Sequence, residues 1–334
     1  MSKTSGTGSA PPVGGQAVIE GVMMRVGGMV ATAVRKTTGE IVVDKAPFAS
    51  LADRFRVFRK PILRGALGLI EMMVLGIRTL NYSAEIALGQ VLPGHPNNGG
   101  KKSPSKKRRD QMKLALTVVV SLLIGVALFF ITPLVGATLL FNVEQDPIAF
   151  NLVSGALRIC LLLAYLFFIS LSGDIKRLFQ YHGAEHKAVF AFERGGELTV
   201  PSAARQSRFH PRCGTSFLLI VMFSAILLFS LLDSLLITWL GRIDMLTRIA
   251  THLPLIPLVG GISYEFIRIS ARNSGTLAGR VVIAPGLWLQ RLTTREPDDA
   301  QLEVAIVALK SALGEDQSLP GLPANTALRN IVLN

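Results

Sequence analysis

Two short strings carry most of the side chains able to do chemistry: Tyr181-His182-Gly183-Ala184-Glu185-His186-Lys187 and Phe209-His210-Pro211-Arg212-Cys213-Gly214. If the first is helical, His182 and His186 lie one turn apart on one face, as a transition metal requires of two imidazoles. Glu185 lies beside both. His-x-x-Glu-His is also the inverted zinc-protease pattern, in which two histidines ligate and the carboxylate acts as base. In the second string His210 and Cys213 form a ligand pair at turn spacing. Together His182, His186, His210 and Cys213 make a tetrahedral donor set, and the thiolate favours a divalent metal such as zinc over magnesium. If all four bind, the site is closed and structural. If three bind, a water fits the fourth position and Glu185 can act on it as the catalytic base. Glu265 is expected as a further ligand or as a carboxylate holding the outer nitrogen of a ligating imidazole. Glu20 and Arg25, charges in a short apolar segment, are expected either as a surface pair or as contacts to substrate or cluster.

These residues must be held by membrane-embedded elements. Of 334 residues, 50% are hydrophobic and 17% charged, below the quarter usual in soluble domains. Leu114–Leu140 has no charge, Phe150–Ser172 has only Arg158, and Thr215–Leu240 has only Asp233. Each meets the roughly 20 residues a span needs. Ile249–Ile269, with His252, two prolines and Glu265, is a weaker fourth. Arg158 and Asp233 are costly inside spans. They are expected to pair across the bundle or to line an ion path. His252 is expected at a membrane edge.

The expected fold is an α-helical integral membrane protein with about four transmembrane helices. An interfacial helix, a small N-terminal β-hairpin module and a cytoplasmic His/Cys loop complete it. Residues 1–13 read as a disordered tail without a signal-peptide core, and 14–60 as a small extended module with a hairpin. Residues 61–92 read as an amphipathic interfacial helix, in which Arg64, Glu71 and Arg78 form one stripe opposite Leu67, Ile70, Val74 and Ile77. Residues 93–110 are a basic flexible linker. Spans fill 111–172 and 215–270, the His/Cys loop lies at 173–214, and 271–334 is a C-terminal segment with one helix. That helix is capped at Asp298 or Asp299, with Leu302, Ile306, Leu309 and Leu313 on its apolar face.

The net charge of +13 clusters beside the spans. It points to anionic lipid headgroups and membrane topology rather than to nucleic acid. Lys101–Arg109 and loop 173–214 are basic, whereas Glu144 and Asp146 occupy the short loop between them. The positive-inside rule therefore puts both termini and the His/Cys loop in the cytoplasm of a multi-pass inner-membrane protein. Cys160 and Cys213 are too differently placed to suggest a disulfide. The sequence leaves a homo-oligomer open.

Five strings, at 14–25, 181–187, 210–217, 262–265 and 285–297, resemble the bacterial YqhQ family. It is a domain-of-unknown-function family labelled as predicted metal-dependent enzymes. The resemblance runs from about Gly14 to Leu309 and implies a metal at the His/Glu/Cys residues above. The function expected is a membrane metal-dependent hydrolase. The alternatives are a non-catalytic scaffold or assembly factor with structural zinc, and a small transporter or channel using Arg158 and Asp233.

Overall fold

A computed structural model describes residues 11–89, 104–141, 143–272 and 276–315. The tail at 1–10, residues 93–103 of the expected linker and the chain end from 316 lie outside the described residues.

The N-terminal module is larger than a hairpin. Its strands β1 (Val13–Val18), β2 (Gly21–Val26), β3 (Met29–Arg35) and β4 (Ile41–Pro47) form an antiparallel meander in the order β1-β2-β3-β4. Alternation gives the sheet two apolar faces. Met23 and Val30 face one side, with Phe48 and Leu75. Val22, Met24, Ala31 and Ala33 face the other and join the largest core. Arg25 shares the first face: it stacks on Phe48 at 4.1 Å, and burial lowers its guanidinium from the ordinary value.

A one-turn helix, α1 (Leu51–Arg54), leads to α2 (Leu63–Ala87), which covers the first face. Its two faces do not sort by polarity: Leu75 is buried and Arg78 is exposed. Glu71, Thr79 and Ser83 are buried, and Leu63, Ile70, Met73 and Leu80 are exposed. Glu71 is satisfied by Ser50 Oγ and by the Leu51 amide at 2.7 Å.

Among the described residues, four helical segments are long and apolar enough to cross a membrane: Leu116–Phe141, Pro147–Ile169, Gly214–Leu240 and Met245–Ser270. The first comprises most of α3 (Pro104–Val126), a π-helical turn (Ala127–Ile131) and α4 (Thr132–Phe141). Residues 104–110, expected as linker, already belong to α3. The others are α5 (Pro147–Ile169), α8 (Gly214–Leu240) and α9 (Met245–Arg272). Helix α9 meets α2 where small residues allow close approach. A Cβ on Gly65 would lie 2.7 Å from Tyr264 Cβ, and one on Gly261 would collide with the Ile62 carbonyl.

The expected loop at 173–214 is mostly helical. α6 (Gly173–Glu193) is followed by a short α7 (Val200–Ala204). The described residues of the C-terminal segment hold two helices where one was expected. α10 (Leu277–Thr293) was hidden by Pro285, and α11 (Asp299–Leu313) starts from an Asp298 capping box with Gln301. α11 is buried on nearly all sides, between α6 and the second face of the sheet. A head of sheet, α6 and α11 thus sits at the end of the bundle where α5 ends and α8 begins.

Inside the bundle, Arg158 and Asp233 do not pair. Arg158 donates to the Phe129 carbonyl at 2.9 Å, a group within the π-helical turn. Asp233, fully buried, accepts from Arg248 at 3.0 Å and from Asn151 at 2.8 Å. His252 lies 2.8 Å from Asp233 and stacks on Phe229, so it is buried in the protein interior.

Candidate metal centre

Helix α6 places His182, Glu185 and His186 on the face turned toward β1 and the start of α8. The helix survives Gly183 because that glycine has a packing role. A Cβ there would collide with the Arg295 carbonyl. The segment Thr293–Pro297 lies along α6, its Arg295 amide donating to the Phe179 carbonyl at 2.8 Å. Glu296 pairs with Lys187.

This segment also orients a histidine. His182 Nδ1 lies 2.8 Å from the Thr293 carbonyl and donates its proton there, which turns Nε2 inward, 3.2 Å from Cys213 Sγ. His186 Nδ1 likewise donates to the Arg208 carbonyl. Both rings therefore present Nε2 inward, with the outer nitrogen fixed by a carbonyl as in many metal-ligating histidines. Burial lowers the pKa of His186, so the imidazole is held neutral.

Cys213 is the N-cap of α8, its Sγ 3.1 Å from Thr215 Oγ1. His182, His186 and Cys213 each offer a donor atom, all within 4.8 Å of one another. That separation and donor chemistry fit a zinc-like ion with imidazole and thiolate ligands.

His210 does not join them. Its Nε2 faces Glu193 at 3.3 Å and its Nδ1 accepts from the Arg212 amide at 3.3 Å. Gln290 clasps its backbone from both sides, at 2.8 and 2.7 Å. Burial works against the charge on Glu193, but the bond to His210 and the nearby Arg212 hold its carboxyl below the usual range.

Glu185 is 6% exposed, with a carboxylate oxygen 3.5 Å from His186 Nε2. Burial pushes its carboxyl upward, and His182 and His210 partly oppose that. It lies beneath β1: a Cβ on Gly15 would stand 2.6 Å from its Cγ and Oε1. A cavity of about 400 Å³ opens above these residues, lined by Gly14–Ala17 of β1, by α6 and by Arg212–Thr215.

The other expected contacts lie elsewhere. Glu265 is taken by Arg64 of α2, at 2.6 Å through Nε. Glu20, in the β1–β2 turn at φ 52°, pairs with Arg177 and accepts from Tyr181 at 3.2 Å. It ties the turn to α6 rather than entering the cavity. Thr293, Gln290, Glu193 and Thr215 were missed in the sequence. The family-like strings at 210–217 and 285–297 contain Thr215, Gln290 and Thr293, but nothing in them assigns these residues a role.

The family model described as "Protein of unknown function (DUF1385)" matches residues 60–315. The chain is 36% identical over 310 residues to the "Uncharacterized protein YqhQ" of Bacillus subtilis (strain 168), covering 91% of this chain and 92% of that one. No solved structure matches the chain. With most of its length matched by the model and more than a third of its residues shared with that relative, the chain belongs to the DUF1385 family of YqhQ-like proteins.

Proposed function

We propose that this protein is a metal-dependent hydrolase of the bacterial inner membrane, with its site facing the cytoplasm. The observation that carries this reading is the convergence of two inward-facing Nε2 atoms and Cys213 Sγ within 4.8 Å on the floor of an open cavity. Three protein donors leave a coordination position free, which is the mark of catalytic rather than structural sites. The turning of His210 to Glu193 favours this reading over a scaffold with a closed structural zinc. A divalent metal held there would supply Lewis acidity, polarising a carbonyl or phosphoryl oxygen and acidifying water.

The chain's own residues do the rest. Glu185 is close enough to take a proton from water in the cavity, and its raised carboxyl suits it to give that proton to a leaving group. Thr293 and Arg208 carbonyls hold the two imidazoles in the ligating tautomer. The basic segments on the head side, against Glu144 and Asp146 at the far end, support the cytoplasmic orientation. The different partners of Arg158 and Asp233 give little support to a transporter path through both.

Metal analysis of the purified protein is the test. About one equivalent of zinc or iron is expected, lost in His182→Ala and Cys213→Ala. Protein free of stoichiometric metal overturns the reading. The 3.2 Å Cys213–His182 contact then favours a second reading, a thiol nucleophile with His182 as its base, for which iodoacetamide labelling of Cys213 at neutral pH is the check.

A further inference from the structure

The cavity has an unusual wall. β1 is an edge strand of the sheet, since β2 pairs with it on one side only. Its hairpin with β2 is closed by Val18 and Gly21 around a two-residue turn. In such a hairpin the closing pair is hydrogen-bonded, and alternate residues turn their amides and carbonyls away from the partner. For β1 these are Val13, Gly15 and Ala17. Gly15 and Ala17 line the cavity. Among the described residues, no hydrogen bond reaches their outward amides or carbonyls.

The two edges of the sheet are treated differently. Exposed edges are normally guarded by charge, proline or a bulge. β4, the opposite edge, carries Asp44, Lys45 and Pro47. β1 reads Val-Gly-Gly-Gln-Ala-Val and carries none of these. At Gly14 a Cβ would meet nothing within 4 Å and the backbone is not left-handed, so the fold itself does not require glycine there. Side-chain-free positions on a strand are where another backbone can approach closely.

The spacing is also apt. A strand added to β1 would run about 4.8 Å beyond it. Glu185 already lies against Gly15, and His182, His186 and Cys213 border the same cavity. A chain laid along the edge would pass its main-chain carbonyls beside the donor cluster.

We infer that the substrate is an extended polypeptide segment, which docks as a fifth strand on the free edge of β1 and is cleaved at the bond lying over the cluster. The docking rests on the sheet edge; the cleavage rests on the hydrolase reading above. In the cleavage, the oxygen of a water forms a bond to the peptide carbonyl carbon. The carbon–nitrogen bond breaks, with its electron pair going to nitrogen. Glu185 takes the proton from water and delivers it to the departing amine.

The test uses the full chain in detergent with Glu185→Gln, which slows turnover. A randomised library of ten-residue peptides on beads is screened against it. Recovered peptides are made with a fluorescein label and N-methylated one residue at a time. Docking as a strand predicts a period of two: methylation at alternate residues weakens binding at least tenfold, and at the residues between them changes it little. Ala17→Pro removes one outward amide without touching the ladder to β2, and is expected to weaken binding similarly. Its circular dichroism and melting show whether it has folded, and the methylation series decides if it has not. A library without binders, or binders indifferent to the phase of methylation, overturns the inference. Metal content is measured on the same samples. Metal without peptide binding leaves the hydrolase reading standing and removes the polypeptide; phased peptide binding without metal does the reverse.

Discussion

Glu185 and Gly183 sit two residues apart on α6 and test opposite things. Glu185→Gln keeps the shape and removes the base. The expected outcome is unchanged metal content and melting, with hydrolysis reduced by about 10²- to 10⁴-fold. Equal loss of metal would make the residue a ligand instead. Gly183→Ala tests packing. In an isolated helix alanine is favoured over glycine by about 1 kcal/mol. Here the added methyl meets the Arg295 carbonyl, so the sign reverses and thermal unfolding should show a loss of about 1–3 kcal/mol, typical of overpacking. The side chains of the site were legible in the sequence because imidazole and thiolate spacings are narrow constraints. What was not legible was which of the four donors would be diverted. His210 faces Glu193 across 17 residues, and Gln290 reaches it from a helix 80 residues away. Such partners are set by tertiary packing, not by local spacing.

Among the elements, the three cleanest apolar runs were readable because hydrocarbon thickness dictates their length and composition. α11 was readable from its Asp298 cap and apolar spacing. α10 was not, because Pro285 and Gly286 punctuate an otherwise amphipathic helix. The sheet was underestimated because its first turn carries Ile19 and Glu20 rather than the expected Asn-Gly type. Glu20 is held there at positive φ by Arg177 and Tyr181. The contact of α8 with α9 has its own prediction. Asp233 satisfies Arg248, Asn151 and His252, all buried. Asp233→Leu strands the Arg248 cation and should cost about 3–5 kcal/mol, as for other broken buried pairs. Asp233→Leu with Arg248→Leu should recover part of that loss in the same detergent melt. An ion path through Asp233 predicts instead that the single variant melts normally.

At the scale of the whole molecule, the two ends of the bundle differ in charge and content. One end carries the sheet, α6, α11 and the donor cluster. The other is a closed corner, where Gln145 donates to the Ile243 carbonyl at 3.3 Å and Arg248 reaches the Glu144 carbonyl. In the proposed topology a single crossing, by α5 or by α8, separates the ends, which puts them on opposite sides of the membrane. The proposed orientation therefore has a direct test. In a Cys160→Ser background, which keeps the buried Cys213, one added cysteine replaces either Gln145 at the corner or Glu197 on the head, both exposed positions. A membrane-impermeant maleimide added to intact cells should label Gln145→Cys at once and Glu197→Cys only after the inner membrane is opened. The reverse pattern would place the site outside. It would then remove cytosolic polypeptides as substrates while leaving the donor geometry intact. A cysteine in the role proposed for Cys213 is easiest to keep reduced on the cytoplasmic side, so labelling and metal content should agree: the orientation that hides Glu197→Cys from the reagent is the one in which Cys213 is recovered reduced and metal-loaded.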